Sequence, residues 1–245
     1  MSKILHINCD MAESYGNLKT GNDEAIMPMV DAVNIACGFH GGDPLTIQST
    51  ISQAIRLGKE IGAHPSYPDL QGFGRRNMDL SDNELEACLR YQISAIKCMT
   101  ESLGSTLNHV KVHGALYNFA SANSNAANII AKVVASIDKN LVLYAPYNSA
   151  MALAAVDAGL MVKYESFADR RYDDEGQLAK RNLPLAIIGN PIDVLSQTRL
   201  LLKDQALTLN IKMIPMKSDT ICVHGDHPNV LENLRIIREN IASQV

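Results

Sequence analysis

Along this chain, short runs in which apolar and polar residues alternate are separated by longer runs with apolar residues three and four apart. The alternating runs, rich in Val, Ile and Tyr, predict strands at residues 4–9, 32–37, 60–63, 108–113, 141–145, 161–166 and 220–224, with 185–188 and 211–215 as lesser candidates. The longer runs carry helix punctuation. Asp43-Pro44 sets an N-cap acceptor and a preset φ ahead of 45–57, which Gly58 stops. Ser81 and Glu84 form a capping box opening a helix in which Leu85, Cys88, Leu89, Gln92 and Ile96 share a face, and Gly104 closes it. Further helices are expected at 124–137, 149–158 and 228–241.

Strand–helix alternation predicts parallel strands joined by right-handed crossovers, an α/β fold. Seven or eight such units close into a parallel β/α barrel, and 245 residues suit one. A single barrel domain over residues 1–245 is therefore expected. The competing architecture is an open doubly wound sheet, but no GxGxxG turn favours it, since Gly72-Phe73-Gly74 is too short and follows no strand directly.

The faces of these strands are unusual. Side chains alternate along a strand. Leu5, Ile7 and Cys9 therefore oppose His6, Asn8 and Asp10; Val110 and Val112 oppose His109, Lys111 and His113. Val162 and Tyr164 oppose Lys163 and Glu165; Ile221 and Val223 oppose Cys222, His224 and Asp226. Parallel strands covered on both sides normally read as near-continuous Val, Ile and Leu. If the apolar faces meet the helices, the polar faces line the barrel and converge at its C-terminal mouth. Burying such groups is expensive unless they bond one another, which marks them as a candidate site. For His6, Asn8 and His109, deeper in their strands, mutual satisfaction in a polar core is at least as good an account.

Composition narrows the partners. Lys and Arg number 22 against 26 Asp and Glu, a net charge of -4, with no basic cluster longer than a pair. That balance excludes nucleic acid and anionic membrane as main partners. No apolar stretch is long enough to span a bilayer, and residues 1–10 do not read as the apolar core of a leader. The five cysteines are odd in number and form no CxxC, so reduced thiols and a cytoplasmic location are expected. Cys9, Cys37 and Cys222 read as small buried hydrophobes rather than nucleophiles.

The segments after the strands concentrate the chemistry. Five of the seven histidines lie there, often beside glycine. The stretches 8–16 (NCDMAESYG), 34–40 (NIACGFH), 62–69 (GAHPSYPD), 71–76 (QGFGRR), 109–118 (HVKVHGALYN), 165–170 (ESFADR) and 220–226 (TICVHGD) resemble, in order, the signatures of the LamB/YcsF family. Ala12 and Ser66 stand where that family usually has Gly, and Val112 where it usually has Pro. The resemblance implies a seven-stranded barrel of the glycoside hydrolase/deacetylase type. It also implies a role as the A subunit of an ATP-dependent 5-oxoprolinase, which with subunits B and C opens 5-oxo-L-proline to L-glutamate as ATP is hydrolysed.

Opening a lactam with ATP requires cations for the substrate carboxylate and the phosphoryl group, a base for water and an acid for the leaving nitrogen. Lys111 and Arg170 are the cationic candidates, Asp10 and Glu165 the bases, and His113 an acid or base; Asn34, His40, His64, His224 and Asp226 are expected to bind or orient substrate. Without GxxxxGK[ST], ATP has no Walker-type cradle here, so the co-substrate is bound in some other mode or with the partner subunits. Whether a metal is bound is left open. Asp10, His40 and His64 are one candidate set, whereas His109 and His113, four apart on a strand, lie roughly 13 Å from each other, too far to share an ion. A second spacing, His224 and His227, also resembles a ligand pair. Two alternatives stay open: a stand-alone metal-dependent hydrolase of the deacetylase type, and a non-catalytic substrate-binding subunit.

Overall fold

The computed structural model describes residues 4–241; the ends of the expected domain, 1–3 and 242–245, lie outside them. Seven strands, β1 (Ile7–Met11), β2 (Ala32–Ala36), β3 (Glu60–His64), β4 (His109–Val110), β5 (Val142–Pro146), β6 (Met161–Phe167) and β9 (Thr220–Cys222), pair in parallel and close into a barrel. Between β6 and β9 an antiparallel pair, β7 (Gln205–Leu207) and β8 (Met213–Pro215), stands outside it. Helices α1 (Asp23–Ile26), α2 (Pro44–Arg56), α3 (Asp82–Ser102), α4 (Gly114–Ala122), α5 (Ser124–Ile137), α6 (Ala150–Asp157), α7 (Pro191–Leu201) and α8 (Val230–Ile241) complete the described elements. None is long and apolar enough to cross a membrane.

The predicted caps form. Asp43 accepts from the amides of Leu45 and Thr46, and Ser81 and Glu84 exchange both capping-box bonds. The apolar strand faces, including Ile7, Cys9, Val33, Ile35, Ile61, Val110, Val112, Leu143 and Ile221, are buried in the hydrophobic core. On these faces α2 packs over β2 and β3, and α6 over β5 and β6.

Several expectations are corrected. The lesser candidate 185–188 is a loop folded against residues 169–171, with a single bridge from Arg170 to Ile187. The other, 211–215, contributes β8 to the outer pair and not to the barrel, which closes with seven strands. β1 is displaced towards the mouth relative to 4–9, and the ladder of β4 stops at Val110, because beyond it the chain keeps bonds to the β3 side only. Helices α1, α4 and α7 and the 3-10 turn Met27–Met29 were not anticipated. Helix α7 carries the same signature as α2, an Asn190 side chain capping Ile192 just before Pro191.

Inside the barrel, polar groups form a connected column. His6 meets Thr220 and Glu60, and Lys163 and Tyr144 also reach Glu60. Above them Asn8 donates to Thr220 Oγ1, Asn34 donates to Asn8 Oδ1, and His109 Nε2 donates to Asn34 Oδ1 (2.7 Å). His6, Asn8 and His109 thus bond within a polar core, in which His109 Nδ1 is left without a partner among the described residues. The His109 ring lies flat on Tyr144, with centroids 4.0 Å apart. A methyl group at Gly62 would sit 2.1 Å from His109 Nε2, so only glycine leaves room for this imidazole.

Two outcomes follow. Gly62→Ala should lose about 1–3 kcal/mol of stability by overpacking, read as a lower urea midpoint at unchanged m-value. Burial holds His109 well below the usual histidine range, whereas the unfolded chain protonates it near 6.5. The unfolded state therefore binds the extra proton below about pH 6.5, and stability must fall as pH drops through that region, by up to about 1.4 kcal/mol per pH unit for this group. Comparing unfolding at pH 7.5 and 5.5, His109→Gln should show the shallower pH dependence; equal slopes would contradict the assignment.

Candidate active site

The column ends in a cation. Lys111, just past β4, is buried, and its Nζ lies 2.8 Å from Asp10 Oδ1, 2.9 Å from Glu165 Oε1 and 3.2 Å from Cys222 Sγ. Asp10 comes from β1, Glu165 from β6 and Cys222 from β9, so the barrel wall brings three strands onto one ammonium. Burial opposes its charge, but Asp10, the Cys222 sulfur and Glu165 together outweigh burial and hold Lys111 well above the usual lysine range. Asp10 is the mirror case: burial would raise it, but His64 and Lys111 hold it well below the usual carboxylate range. Asn34 steadies Asp10 from below through a 2.8 Å bond.

Above this floor opens a cavity of about 550 Å³ at the C-terminal end of the strands, lined by Asp10, His64, Lys111, His113, Glu165, Arg170, His224 and Asp226 among others. Eight of the ten predicted site residues thus share one cavity. Asn34 and His40 do not line it; they lie behind its walls, in contact with Asp10 and Glu13. Glu165 Oε1 is met by the Lys111 ammonium. Among the described residues, Arg170 Nε has no hydrogen bond although it is buried and its residue lines the cavity, whereas Tyr117 Oη faces the Glu165 carboxylate. Unmet hydrogen-bonding capacity here is capacity for a ligand.

Two functional groups escaped the sequence reading. Asp169, in the loop after β6, holds His224 through its backbone amide (3.0 Å) and Nδ1 (2.9 Å). His224 outweighs burial and keeps Asp169 ionised, down to about 2. This bond leaves the opposite ring nitrogen of His224, Nε2, for the cavity, the arrangement of an oriented base. Glu13, after β1, lies 3.1 Å from His40 Nε2; burial and then Asp10 push its carboxyl up to about 8. Both residues stood in the segments already marked as chemical; loops have no periodicity to single them out.

The remaining placements are specific. Arg170 donates to Ala179 O (2.6 Å), so one nitrogen ties its own loop while Nε stays free. Asp226 accepts from Arg75 (2.6 Å), joining the loops after β3 and β9 across the rim. His113 Nε2 bonds Phe73 O, and its Nδ1 lies 2.9 Å from His64 Nε2. His224 bonds Asp169, whereas His227 Nδ1 accepts from the Asn229 amide, so that spaced pair shares no partner. Ligand atoms of Glu13, His40, His64 and His113 all lie within 4.8 Å of one another, a grouping able to hold a metal ion. It differs from the expected Asp10, His40 and His64 set by including Glu13 and His113. Gly74, at φ +65°, admits this packing: a Cβ there would press on the rings of His113 and the Cβ of His40 within 3 Å.

Residues 5–245 match the model of the LamB/YcsF family. The chain is 43% identical over 239 residues to a protein from Bordetella pertussis that is named as the A subunit of 5-oxoprolinase, covering 97% of this chain and 95% of that one. It is equally similar, 43% over 238 residues, to a protein of the same name from Symbiobacterium thermophilum, covering 97% and 91%. Among solved structures it resembles a lactam utilization protein from Thermus thermophilus with TM-score 0.92 and 38% identity, over 98% of this chain and 96% of that one.

Removing one partner from the buried ion cluster should be costly. Lys111→Met leaves Asp10 and Glu165 facing each other without a counter-ion, and about 3–5 kcal/mol of stability should be lost in denaturant unfolding. Adding Glu165→Gln should recover part of that loss; a strictly additive double mutant would show that the two side chains do not interact.

Proposed function

The chain belongs to the LamB/YcsF family, and from that premise we propose that it is the A subunit of a 5-oxoprolinase, opening 5-oxo-L-proline to L-glutamate coupled to hydrolysis of ATP to ADP and phosphate. The names of its relatives support the lactam substrate. The observation that carries the chemistry is the buried Lys111 ammonium between two carboxylates at the floor of a cavity whose polar groups are not all satisfied.

A lactam is a resonance-stabilised amide with a poor leaving group. In this reading the γ-phosphoryl of ATP is transferred to the amide oxygen: the new O–P bond forms as the bond to ADP breaks, the ring nitrogen gives up its proton, and an imidate-like carbon results. Water adds to that carbon. From the adduct, loss of phosphate would only regenerate the lactam, whereas cleavage of the C–N bond gives the amine and an acyl phosphate, which a second water converts to glutamate and phosphate. The protonation of the ring nitrogen therefore decides between a productive and a futile cycle. Asp10 and Glu165 flank the point where water must be deprotonated, and His224, oriented by Asp169, offers a further proton acceptor. The Lys111 ammonium stabilises the anionic adduct and directs a proton to the departing nitrogen. Arg170 Nε supplies a donor for the substrate carboxylate or the phosphoryl group. Lacking a GxxxxGK[ST] loop, the chain shares the nucleotide with subunits B and C.

The test is ATP-dependent glutamate formation from 5-oxoproline by this protein with subunits B and C. Asp10→Asn and Lys111→Ala, confirmed as folded by circular dichroism, should each lower turnover by about 100-fold or more. Full turnover in both would remove the cavity from the mechanism. Intact chemistry with 5-oxoproline bound would indicate a substrate-holding subunit, and activity without ATP or partners a stand-alone hydrolase.

A further inference from the structure

The histidines beside the cavity are each held in one orientation by a bond from one ring nitrogen. His64 Nδ1 lies 2.6 Å from Lys111 O, and His113 Nε2 lies 2.8 Å from Phe73 O. A carbonyl only accepts, so both of these nitrogens carry a proton. His40 Nδ1 lies 2.9 Å from Ser66 Oγ, whose own hydrogen is committed to Tyr67 O at 2.8 Å. The hydroxyl therefore accepts, and His40 Nδ1 is protonated too. The opposite nitrogens, His40 Nε2, His64 Nε2 and His113 Nδ1, are the ones left to meet a ligand once any proton on them is displaced.

These nitrogens lie close to one another and to carboxylates, with the His40 and His113 rings stacked 3.8 Å apart. His64 Nε2 is 2.9 Å from His113 Nδ1 and 3.3 Å from Asp10 Oδ2; Glu13 Oε1 is 3.1 Å from His40 Nε2 and 3.5 Å from His113 Nδ1. Two protons, one between Glu13 and His40 and one on His64 Nε2 facing His113 and Asp10, bridge these contacts in the free protein, and a cation placed among them would replace both. A ring nitrogen fixed by a bond from its partner nitrogen to a backbone carbonyl or a hydroxyl is how metal-ligating histidines are oriented. All four residues are buried, Glu13, His64 and His113 open on the cavity, and His40 closes the set from behind.

We propose that Glu13, His40, His64 and His113 bind one divalent cation of the imidazole-preferring first-row class, with zinc as the representative, and that Ser66 is the positioning residue for His40. Three imidazole nitrogens and one carboxylate oxygen suit zinc; magnesium and calcium, which take oxygen ligands, fit poorly. Bound there, the ion supplies a Lewis acid at the cavity wall. The assignment does not depend on which reaction the cavity serves.

The experiment needs no substrate. Full-length protein stripped with a chelator is titrated calorimetrically with Zn²⁺, with Mg²⁺ as control, and Co²⁺ is added as a spectroscopic reporter. About one Zn²⁺ per chain should bind, Mg²⁺ should not compete, and Co²⁺ should give the visible bands of a low-coordinate nitrogen and oxygen site. Ser66→Ala, a small change that leaves every ligand in place, should weaken Zn²⁺ binding about 10–100-fold. His64→Ala combined with His113→Ala should abolish it, with folding checked by circular dichroism. No zinc uptake by the wild type, or uptake unchanged in the double variant, overturns the site. Zinc bound without ring opening would instead count against the proposed reaction and leave the site standing.

Discussion

A lysine ammonium cannot be left alone inside a protein, and the architecture of this barrel follows from where Lys111 is put. Its desolvation is offset by Asp10, Glu165 and Cys222 from three different strands, so the barrel must close for the charge to be tolerated. The closed barrel in turn makes the charge available, since Lys111 and both carboxylates stand at the foot of an open cavity. The contacts that stabilise the buried charge are thus the ones that form the floor of the cavity.

Beneath this cluster the interior is filled by amides, imidazoles and hydroxyls instead of the branched apolar layers typical of such barrels. The network is directional. Lys111 donates to Asn8 Oδ1, His109 donates to Asn34, Asn34 donates to Asp10 and Asn8, and Asn8 donates to Thr220. Each bond fixes an amide orientation, so Asp10 presents one oxygen to Lys111 and the other to His64. The polar column is thus the scaffold that aims the first carboxylate of the site. Ala12 at φ +60° shows a local cost of the same design: it stands where the family usually has Gly, and its amide is held by Asp23 as the chain turns from Asp10 to Glu13.

The fold was largely legible because barrel strands and their helices leave periodic traces. Caps such as Asp43-Pro44 and Ser81 to Glu84 are local in sequence and survive intact in the structure. What failed was also physical. Residues 185–188 are short and apolar enough for a strand but lack a neighbour to pair with along their length, and pairing is a tertiary property. Helix α4 begins at Gly114, inside a stretch whose chemistry invited reading as a loop, and its N-cap His113 makes no side-chain cap.

By itself the sequence determined that a polar face runs through the strands that carry Asp10, Glu165 and Cys222 and the segment that carries Lys111, because alternation in an extended chain leaves a side chain one choice of face. It also determined the local starts of the helices, and through its ordered motifs the family. Tertiary structure decided which of those groups meet. Asp169 closing on His224, Glu13 and His113 joining His40 and His64, and Ser66 turning His40 are contacts between segments far apart in the chain. No period governs a loop, so its partners are set only when the barrel has closed and brought the strand ends to a common mouth.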